Sequence, residues 1–473
     1  MTDFYTPLEE IPKIRDALHD AFRAGVSRPL AWRKQQLHQL ARLLQENGDA
    51  ITQSLFDDFR KPKHEVYFAE IAPLITRCIE SAANLEDWTK PEIVVSKSAA
   101  KFQPKVYRAP KGVALIIAPW NYPVMLSLQA LIGAISAGCC AVVKPSEIVP
   151  SYARLIETLI RKYLDNSAYR VVNGAPAQAM ELLRLQWDHI IYTGNGRVAR
   201  IIARAAAEHL TPMTLELGGK SPVIVDPACD IDLAAKRILW GKCNNAGQIC
   251  VAPDYILIPR SSQDEFIAAL KKHYAAFYPK GALSSDSYGR IVSSLHWSRL
   301  KSLLDRTQGE IVLGGGVDDK NGIEPTVVKN VKDGDSLMEE EIFGPLLAVV
   351  PVDSLSDAIS FVNSRHHALV VYAFTDSEEL KQRLVETTRS GNIVFNDVFQ
   401  QMDVMELPMG GVGESGYGHQ VLKASFDALT HHRSSIDVPK TSEDLLSVRY
   451  PPYTEEHSKI MAGAAFTKVA ARV

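Results

Sequence analysis

The chain lacks the features that would assign it to a membrane, secreted or nucleic-acid-binding class. No apolar run reaches the about 18 residues that a spanning helix needs, so we expect no transmembrane segment. The opening residues carry neither a basic stretch nor an apolar core, so we expect no secretory signal. Positive and negative side chains are nearly balanced, 52 against 55, which gives no electrostatic reason for a nucleic-acid or anionic-membrane partner.

Paired cysteines and converging metal ligands are also missing. The six cysteines follow no paired spacing, and Cys139 and Cys140 are adjacent, so a reducing, cytoplasmic location is expected. The histidine pairs 366–367 and 431–432 are adjacent in sequence, and neighbouring side chains diverge on most backbones. Because a metal needs converging ligands, we expect no metal site.

The usual dinucleotide fingerprint, Gly-x-Gly-x-x-Gly, is absent as well. Instead, Thr193-Gly194-Asn195 follows an apolar strand and leads into a helix predicted over 197–208. Backbone N–H groups at such a turn can bind a pyrophosphate. The signal is weak by itself, since many turns from a strand to a helix look the same.

What is present is the pattern of an α/β protein with more than one core. A chain of 473 residues is expected to divide into domains. Apolar residues at three- and four-residue steps predict helices over the first 90 residues. Beyond residue 106, short apolar runs alternate with helical stretches, which is typical of doubly wound parallel sheets. The predicted strands are 113–118, 141–143, 169–172 and 189–192 in a first set, and 222–225, 255–258, 310–313, 346–350 and 392–395 in a second.

A glutamate and a cysteine 34 residues apart are the strongest chemical signal. Glu216 ends an apolar strand, and Cys250 closes the segment Asn-Ala-Gly-Gln-Ile-Cys. Taken alone, the cysteine would be a small core residue and the glutamate a buried partner in an ion pair. Together they can act as nucleophile and general base, which suits thioester chemistry on an aldehyde. That role requires burial to raise the pKa of Glu216 and the surroundings to lower the pKa of the Cys250 thiol.

Glycines flank both reactive groups. We expect Gly218-Gly219 to let the chain turn where another group approaches closely. Gly247 is expected to keep the backbone ahead of Cys250 bare, so that a substrate carbonyl reaches the Cys250 amide.

These two segments and Trp120-Asn121-Tyr122-Pro123 resemble the signature of the aldehyde dehydrogenase superfamily, over nearly the whole chain. The segments 248–255 and 449–452 are similar to those of the class 3 and fatty-aldehyde branch. The resemblance implies NAD(P)-dependent oxidation of an aromatic or medium- to long-chain aliphatic aldehyde to the acid, through a cysteine thiohemiacetal and thioester. It also implies a homodimer.

The resemblance further implies an α/β fold with a doubly wound nucleotide-binding domain, a second α/β catalytic domain and a small β oligomerisation extension. We expect an NAD(P)-binding domain over 1–92 and 107–214 and a catalytic domain over 215–419. Residues 93–106, which alternate loosely like a protruding hairpin, would form a bridging and oligomerisation segment with 420–450. Residues 451–473 would form a C-terminal tail.

Catalytic and substrate-binding roles are implied for five side chains. Cys250 would attack the aldehyde carbon and Glu216 would activate the hydrolytic water. Asn121, otherwise a turn residue, would donate to the oxyanion. Tyr122 and Trp240 would contact the substrate.

Cofactor-binding roles are implied at the ends of several strands. Lys144 and Glu147, which read alone as a solvated surface pair, would hold the adenosine ribose, and the charge of Glu147 favours NAD, with NADP as the alternative. Glu341 would bind the nicotinamide ribose. Phe343, otherwise a core residue, would pack beside the nicotinamide. The full expected set is Trp120, Lys144, Ser146, Glu147, Gly174, Thr193, Gly194, Asn195, Leu217, Gly218, Glu341 and Phe343.

Four positions depart from the family pattern. Ile249 replaces a threonine and Cys243-Asn244 an aromatic-Met pair, and we expect both to flank the substrate tunnel. Met409 replaces a phenylalanine in the glycine-rich segment 407–416, where we expect a change in packing only. Two alternative functions stay open at this point: a CoA-acylating aldehyde dehydrogenase, and a catalytically silent structural or binding protein on the same fold.

Overall fold

The computed structural model describes residues 4–96 and 99–465. Its contacts divide the chain into a larger unit, up to Trp88 and over Pro110–Thr430, and a smaller one, over Thr89–Ala109 and from His431 onward. In chain order the α-helices are α1 (Glu10–Arg23), α2 (Leu30–Glu46), α3 (Gly48–Phe59), α4 (Lys63–Val66), α5 (Ala72–Thr89), α6 (Pro123–Ala137), α7 (Pro150–Tyr163), α8 (Pro176–Arg184), α9 (Gly196–Glu208), α10 (Ile231–Cys243), α11 (Gln263–Phe277), α12 (Ser294–Arg306), α13 (Ser336–Glu339), α14 (Leu355–Asn363), α15 (Glu378–Thr387), α16 (Leu422–Ala428), α17 (Glu443–Leu446) and α18 (Glu455–Ala465).

The strands follow the alternation that the sequence predicts. In chain order they are β1 (Glu92–Ile93), β2 (Lys105–Pro110), β3 (Val113–Ile117), β4 (Cys140–Lys144), β5 (Tyr169–Val171), β6 (His189–Gly194), β7 (Met213–Leu217), β8 (Pro222–Val225), β9 (Tyr255–Pro259), β10 (Glu310–Leu313), β11 (Thr326–Lys329), β12 (Leu346–Val352), β13 (Val370–Phe374), β14 (Asn392–Phe395), β15 (Gly416–Tyr417) and β16 (Thr430–Ser435).

The first sheet of the larger unit has six strands in the order β15-β7-β6-β3-β4-β5. All neighbours pair in parallel except β15, which runs antiparallel to β7. Its central strands are largely apolar and buried, as expected for a sheet that helices cover on both faces, and α6 is buried along almost its whole length. Since β4 and β6 lie on opposite sides of β3, the chain changes direction there and leaves a crevice beyond the carboxyl ends of β3 and β6.

The second sheet has seven strands in the order β10-β11-β12-β9-β8-β13-β14, with only β10 antiparallel to its neighbour. The five strands predicted for the second set are confirmed as β8, β9, β10, β12 and β14. The sequence analysis missed β11 and β13. Strand β13 is fully buried between β8 and β14, and a short apolar run of this kind does not differ in pattern from a buried helix segment.

The expected boundary between residues 214 and 215 falls inside a strand of the first sheet. Strand β7 runs across that point, and it pairs with β6 through Thr193↔Glu216 and Gly194↔Leu217. Strand β15 lies within the range 215–419 and pairs with β7 in the same sheet. The strand that carries Glu216 therefore belongs to the sheet that carries the Thr193-Gly194-Asn195 turn.

The smaller unit contains a three-stranded sheet, β1-β2-β16. Strands β1 and β2 pair antiparallel, Glu92 with Val106 and Ile93 with Lys105, as expected for a hairpin. Residues 97 and 98 of that hairpin and 466–473 of the expected tail lie outside the described residues. Within 4–96 and 99–465, no helix has the length and apolarity that crossing a bilayer requires.

Candidate active site

A cavity in the larger unit brings Cys250, Glu216 and Asn121 together. The Cys250 thiol donates to Glu216 Oε1 at 3.3 Å. The Asn121 side-chain amide donates to the Gln248 carbonyl at 3.1 Å, two residues before the cysteine. The cavity holds about 1080 Å³, part of it in the opening to solvent, and most of its wall is apolar. Tyr122 and Trp240 also line it, beside the three reactive groups.

Glu216 is buried near the end of β7. Burial raises the pKa of its carboxyl, as the sequence analysis expected, while contacts with the Cys250 thiol and the Thr193 hydroxyl act to lower it. A carboxyl group with a raised pKa can accept and release a proton nearer neutral pH than an exposed glutamate does.

The expectation for the Cys250 thiol is wrong for this structure. Burial raises its pKa well above the ordinary value, and the negative charge of Glu216 raises it further. The thiol is therefore protonated at neutral pH, with its proton directed at the Glu216 carboxylate. Because the thiolate is the reactive form, nucleophilic attack from this arrangement requires transfer of that proton.

The backbone before Cys250 adopts an unusual conformation. Asn245 and Ala246 have φ near +50°, a left-handed conformation that is uncommon for residues with a side chain. Gly247 continues it at φ 72°, and a Cβ there would collide with the Gly344 carbonyl. The bare backbone at Gly247 thus makes room for another chain segment.

Three side chains hold this loop in place. Asn245 donates from Nδ2 to the carbonyls of Asn121 and Gln248 at 2.9 and 3.0 Å. Its backbone N–H donates to Glu65 Oε2 at 2.9 Å. The Gln248 amide donates to the carbonyls of Asn245 and Arg290 and accepts from the Val292 N–H. Burial raises the pKa of Glu65 to about 7.

A fully buried ion pair supports the neighbouring segment. Lys61 Nζ lies 2.5 Å from Glu70 Oε1, and both side chains are inaccessible to solvent. Glu70 Oε2 accepts from the N–H groups of Val124 and Met125 at 2.9 and 3.3 Å, which caps the start of α6. Lys61 Nζ also lies 3.4 Å from the centroid of the Tyr122 ring. The pair therefore fixes the turn that presents Asn121.

The residues expected at the adenosine ribose form a separate group after β4. Lys144 Nζ pairs with Glu147 Oε2 at 3.0 Å, and Lys144 is buried rather than solvated. The Ser146 hydroxyl accepts from the Ile148 N–H at 3.3 Å. None of these three residues is among those that line the cavity around Cys250.

The glycine turns lie at the same edge of the sheet. After β6, Gly194 lacks a side chain where a Cβ would collide with the Tyr192 hydroxyl, and Asn195 caps α9 by accepting from the Val198 N–H at 3.0 Å. After β5, a Cβ at Gly174 would collide with Gln178.

Glu341 and Phe343 approach the first sheet from the segment that precedes β12. A Cβ at Gly218, just after Leu217, would collide with the Glu341 carboxylate, so the close approach expected at this glycine is made by Glu341. Burial and the charge of Asp254 raise the pKa of Glu341 to about 8. Phe343 packs edge-on against Trp120, with ring centroids 5.3 Å apart.

The positions that depart from the family pattern divide between the cavity and the core. Ile249 and Asn244 line the cavity, as expected, and Asn244 accepts from the Tyr122 hydroxyl at 2.8 Å. Cys243 is instead buried beside Tyr278, outside the cavity wall. Met409 also lines the cavity.

The sequence analysis missed several residues that hold the site. Lys61, Glu65 and Glu70 lie in a region assigned to helices alone, and Arg77, which lines the cavity, was also overlooked. A signal existed for two of them. Glu70 follows Val66 by four residues, and Arg77 follows Glu70 by seven, so helical spacing places these charges on the apolar face.

Comparisons with known proteins agree with this geometry. A family model described as "Aldehyde dehydrogenase family" matches residues 6–434. The chain is 40% identical over 448 residues to "Aldehyde dehydrogenase, dimeric NADP-preferring" of Mus musculus, covering 94% of this chain and 98% of that protein. It is 41% identical over 444 residues to "Aldehyde dehydrogenase family 3 member A2" of Rattus norvegicus, covering 93% and 90%.

Two solved structures are also similar. Staphylococcus aureus AldH in a substrate-bound state superposes with a TM-score of 0.93 at 38% identity, covering 96% of this chain and 99% of that one. A Mycobacterium tuberculosis aldehyde dehydrogenase complexed with NAD+ gives a TM-score of 0.83 at 27% identity, covering 92% and 91%.

The contact between Cys250 and Glu216 predicts an unusual pH dependence for alkylation. Because burial and Glu216 raise the pKa of the thiol, the rate of Cys250 labelling by iodoacetamide should keep rising beyond pH about 8.5, where a free thiol is half ionised. Glu216→Gln removes the negative charge and should shift the profile to lower pH. Mass spectrometry of the labelled peptide gives the rate, with a small free thiol as the control. A wild-type profile that levels off below pH 8 would contradict the assignment.

The buried ion pair predicts a stability pattern. Glu70→Gln keeps an acceptor for α6 but removes the direct partner of buried Lys61 and leaves only the charge of Glu65 near it, so the free energy of unfolding should fall by about 3 kcal/mol. The double variant Lys61→Met/Glu70→Gln should lose less than the single one. Exposed Glu80→Gln is the matched control and should change stability by about 0.5 kcal/mol or less. Urea unfolding measures all three, and equal losses in Glu70→Gln and the control would refute the pattern.

Proposed function

This chain belongs to the aldehyde dehydrogenase family and is an NAD(P)-dependent aldehyde dehydrogenase, and we propose that Cys250, Asn121 and Glu216 carry its chemistry. The observation that supports this assignment is the 3.3 Å contact from the Cys250 thiol to Glu216, in a cavity that Asn121 also lines. We propose aromatic or medium- to long-chain aliphatic aldehydes as substrates, because the walls of that cavity are largely apolar.

The reaction begins with the thiol proton. Glu216 accepts it, and the Cys250 sulfur forms a bond to the aldehyde carbon while the carbonyl oxygen becomes an alkoxide. Asn121 donates one amide N–H to the Gln248 carbonyl, and an amide carries a second N–H that can stabilise the alkoxide. The product on the enzyme at this point is a thiohemiacetal.

Release of the acid requires water. Once the former aldehyde carbon has lost its hydride, the acyl group is held on Cys250 as a thioester. Glu216 releases the thiol proton to solvent and, as a carboxylate again, takes a proton from the water that attacks the thioester. The raised pKa of Glu216 makes the carboxylate a stronger base than an exposed glutamate. Hydrolysis of this kind distinguishes the proposal from a CoA-acylating enzyme, which would form product only when CoA is supplied.

The residues at the sheet edge fit a dinucleotide. The turn at Gly194 opens onto the N-terminus of α9, whose backbone N–H groups suit a pyrophosphate. Lys144 and Glu147 would hold the adenosine ribose, and Glu341 the nicotinamide ribose. When bound, NAD(P) supplies the acceptor for the hydride. We propose the remaining contacts for Trp120, Ser146, Gly174, Thr193, Asn195, Leu217, Gly218 and Phe343.

The oligomeric state of the chain is also a proposal. We propose a homodimer, which the word "dimeric" in the name of the mouse relative supports. In the smaller unit, the exposed apolar side chains of Ile93, Val95 and Ile436 offer a surface for a second copy. Sedimentation equilibrium should then give twice the mass of the chain.

We propose that 1–92 and 107–214 bind the cofactor and 215–419 supplies the nucleophile. Six free cysteines support a cytoplasmic location.

The nucleophile is tested by Cys250→Ser. NADH formation from benzaldehyde and hexanal should be abolished, because a serine hydroxyl ionises far less readily than a thiol, while NAD binding persists. Cys243→Ala is the matched control, since Cys243 is buried outside the cavity wall, and it should remain active. Near-normal turnover by Cys250→Ser would remove Cys250 from the mechanism, and a wild type inactive on every aldehyde would favour a silent protein.

Cofactor preference is tested at Glu147. Its negative charge should repel the 2′-phosphate of NADP, although the pairing with Lys144 offsets part of that charge. The name of the mouse relative, "NADP-preferring", points the other way for that protein. Glu147→Gln should raise the ratio of kcat/KM for NADP over NAD by about tenfold. An unchanged ratio would place Glu147 away from the 2′ position.

A further inference from the structure

Arg77 lies in the wall of the cavity that holds Cys250, where the proposed function does not require a cation. It is 2% exposed. Within the described residues it forms no ion pair: its guanidinium donates to Gln129 Oε1, to the Met125 sulfur at 2.9 Å and to the Met402 carbonyl at 3.2 Å. All three partners line the same cavity.

The charge of Arg77 has no direct counter-charge: Asp403 in the same cavity wall acts on it electrostatically but forms no ion pair with it. A thioether is a weak acceptor, and the buried Nε has no partner. Buried charges in proteins are ordinarily paired, because removing them from water is costly. Burial lowers the pKa of Arg77 to about 10, so the guanidinium stays charged at neutral pH. A carboxylate arriving in the cavity would supply the direct ion-pair partner that Asp403 does not.

The position of Arg77 fits the far end of a substrate rather than the reacting end. Its partners Met125 and Gln129 are on α6, which starts next to Asn121. Tyr122 and Gln129 are separated by seven residues, or about 10 Å along the helix axis. Asp403, Val404 and Leu407, which also line the cavity, are exposed to solvent, so the cavity opens on their side.

We propose that Arg77 binds the terminal carboxylate of an aldehyde substrate, so that the enzyme takes medium-chain ω-oxo carboxylic acids in preference to the matching alkanals. This inference rests on the proposed function, since the aldehyde end must reach Cys250. The apolar wall between the two ends would contact the methylene chain, and the product would be a dicarboxylate.

A merely structural role for Arg77 is the competing explanation. Its bond to the Met402 carbonyl ties the segment around residues 400–404 to α6, and loss of that tie would impair every substrate alike. The ratio of kcat/KM between an oxo acid and the alkanal of equal length separates the two explanations, because a structural defect cancels in that ratio.

The experiment compares 9-oxononanoate with nonanal in wild type, Arg77→Lys and Arg77→Met, by initial rates of NADH formation. The wild-type ratio should be at least tenfold above that of Arg77→Met, with Arg77→Lys between them. Succinic semialdehyde, whose carboxylate is too close to the aldehyde to span the gap, should not depend on Arg77 in this way. Arg161→Met removes an exposed positive charge and should leave the 9-oxononanoate ratio unchanged.

A second measurement needs only the wild type. Azelate should compete with nonanal at least tenfold more strongly than nonanoate does, since azelate keeps a carboxylate at the far end. A wild type that oxidises both nine-carbon substrates equally well, or an Arg77→Met variant with an unchanged ratio, would overturn the role of Arg77. Inactivity of the wild type on both would refute the proposed function itself, and with it this inference.

Discussion

The buried ion pair between Lys61 and Glu70 is the interaction on which the rest of the site depends. One carboxylate oxygen compensates the lysine and the other caps α6, so the same side chain fixes both the helix start and the turn before it. Asn121 is in that turn, and Asn245 binds its carbonyl from the opposite side. Removing this ion pair from water is costly, but its contacts determine where two separate segments of the chain meet.

Two sheets supply the rest of the arrangement. The first carries Glu216 and the turns at its carboxyl edge, and the segments around the second carry Cys250 and Glu341. Glycine allows close approach in both places: Gly218 admits the Glu341 carboxylate between the two parts, and Gly247 admits the Gly344 carbonyl within the second. The hydrogen bond from the Cys250 thiol to Glu216 also joins the two parts.

The sequence indicated the residues that meet in the cavity better than the residues that hold them in place. Cys250, Glu216 and Asn121 stood out because chemistry limits which residue types can serve, and the predicted strands placed Glu216 and Asn121 at strand ends. The protonated state of Cys250 was not foreseen, because it depends on burial and on the 3.3 Å distance to Glu216, which a linear sequence does not contain. Glu65 was missed for the same reason, because its partner Asn245 is 180 positions away in sequence. Lys61 is only nine residues from Glu70, but the burial of that pair is set by the fold and not by the local sequence. Strand β13 was missed because a short apolar run lacks a period.

The hydrogen bond from Asn245 to Glu65 links two residues 180 positions apart. Closing so long a loop costs conformational entropy before any contact compensates for it, and contacts of this range slow folding. The left-handed conformation of Asn245 and Ala246 is unfavourable by itself, so the loop depends on contacts such as the one with Glu65 to keep it. Helices and sheets can therefore form in a refolding chain while the thiol is still misplaced, and catalytic competence is among the last properties that the chain acquires.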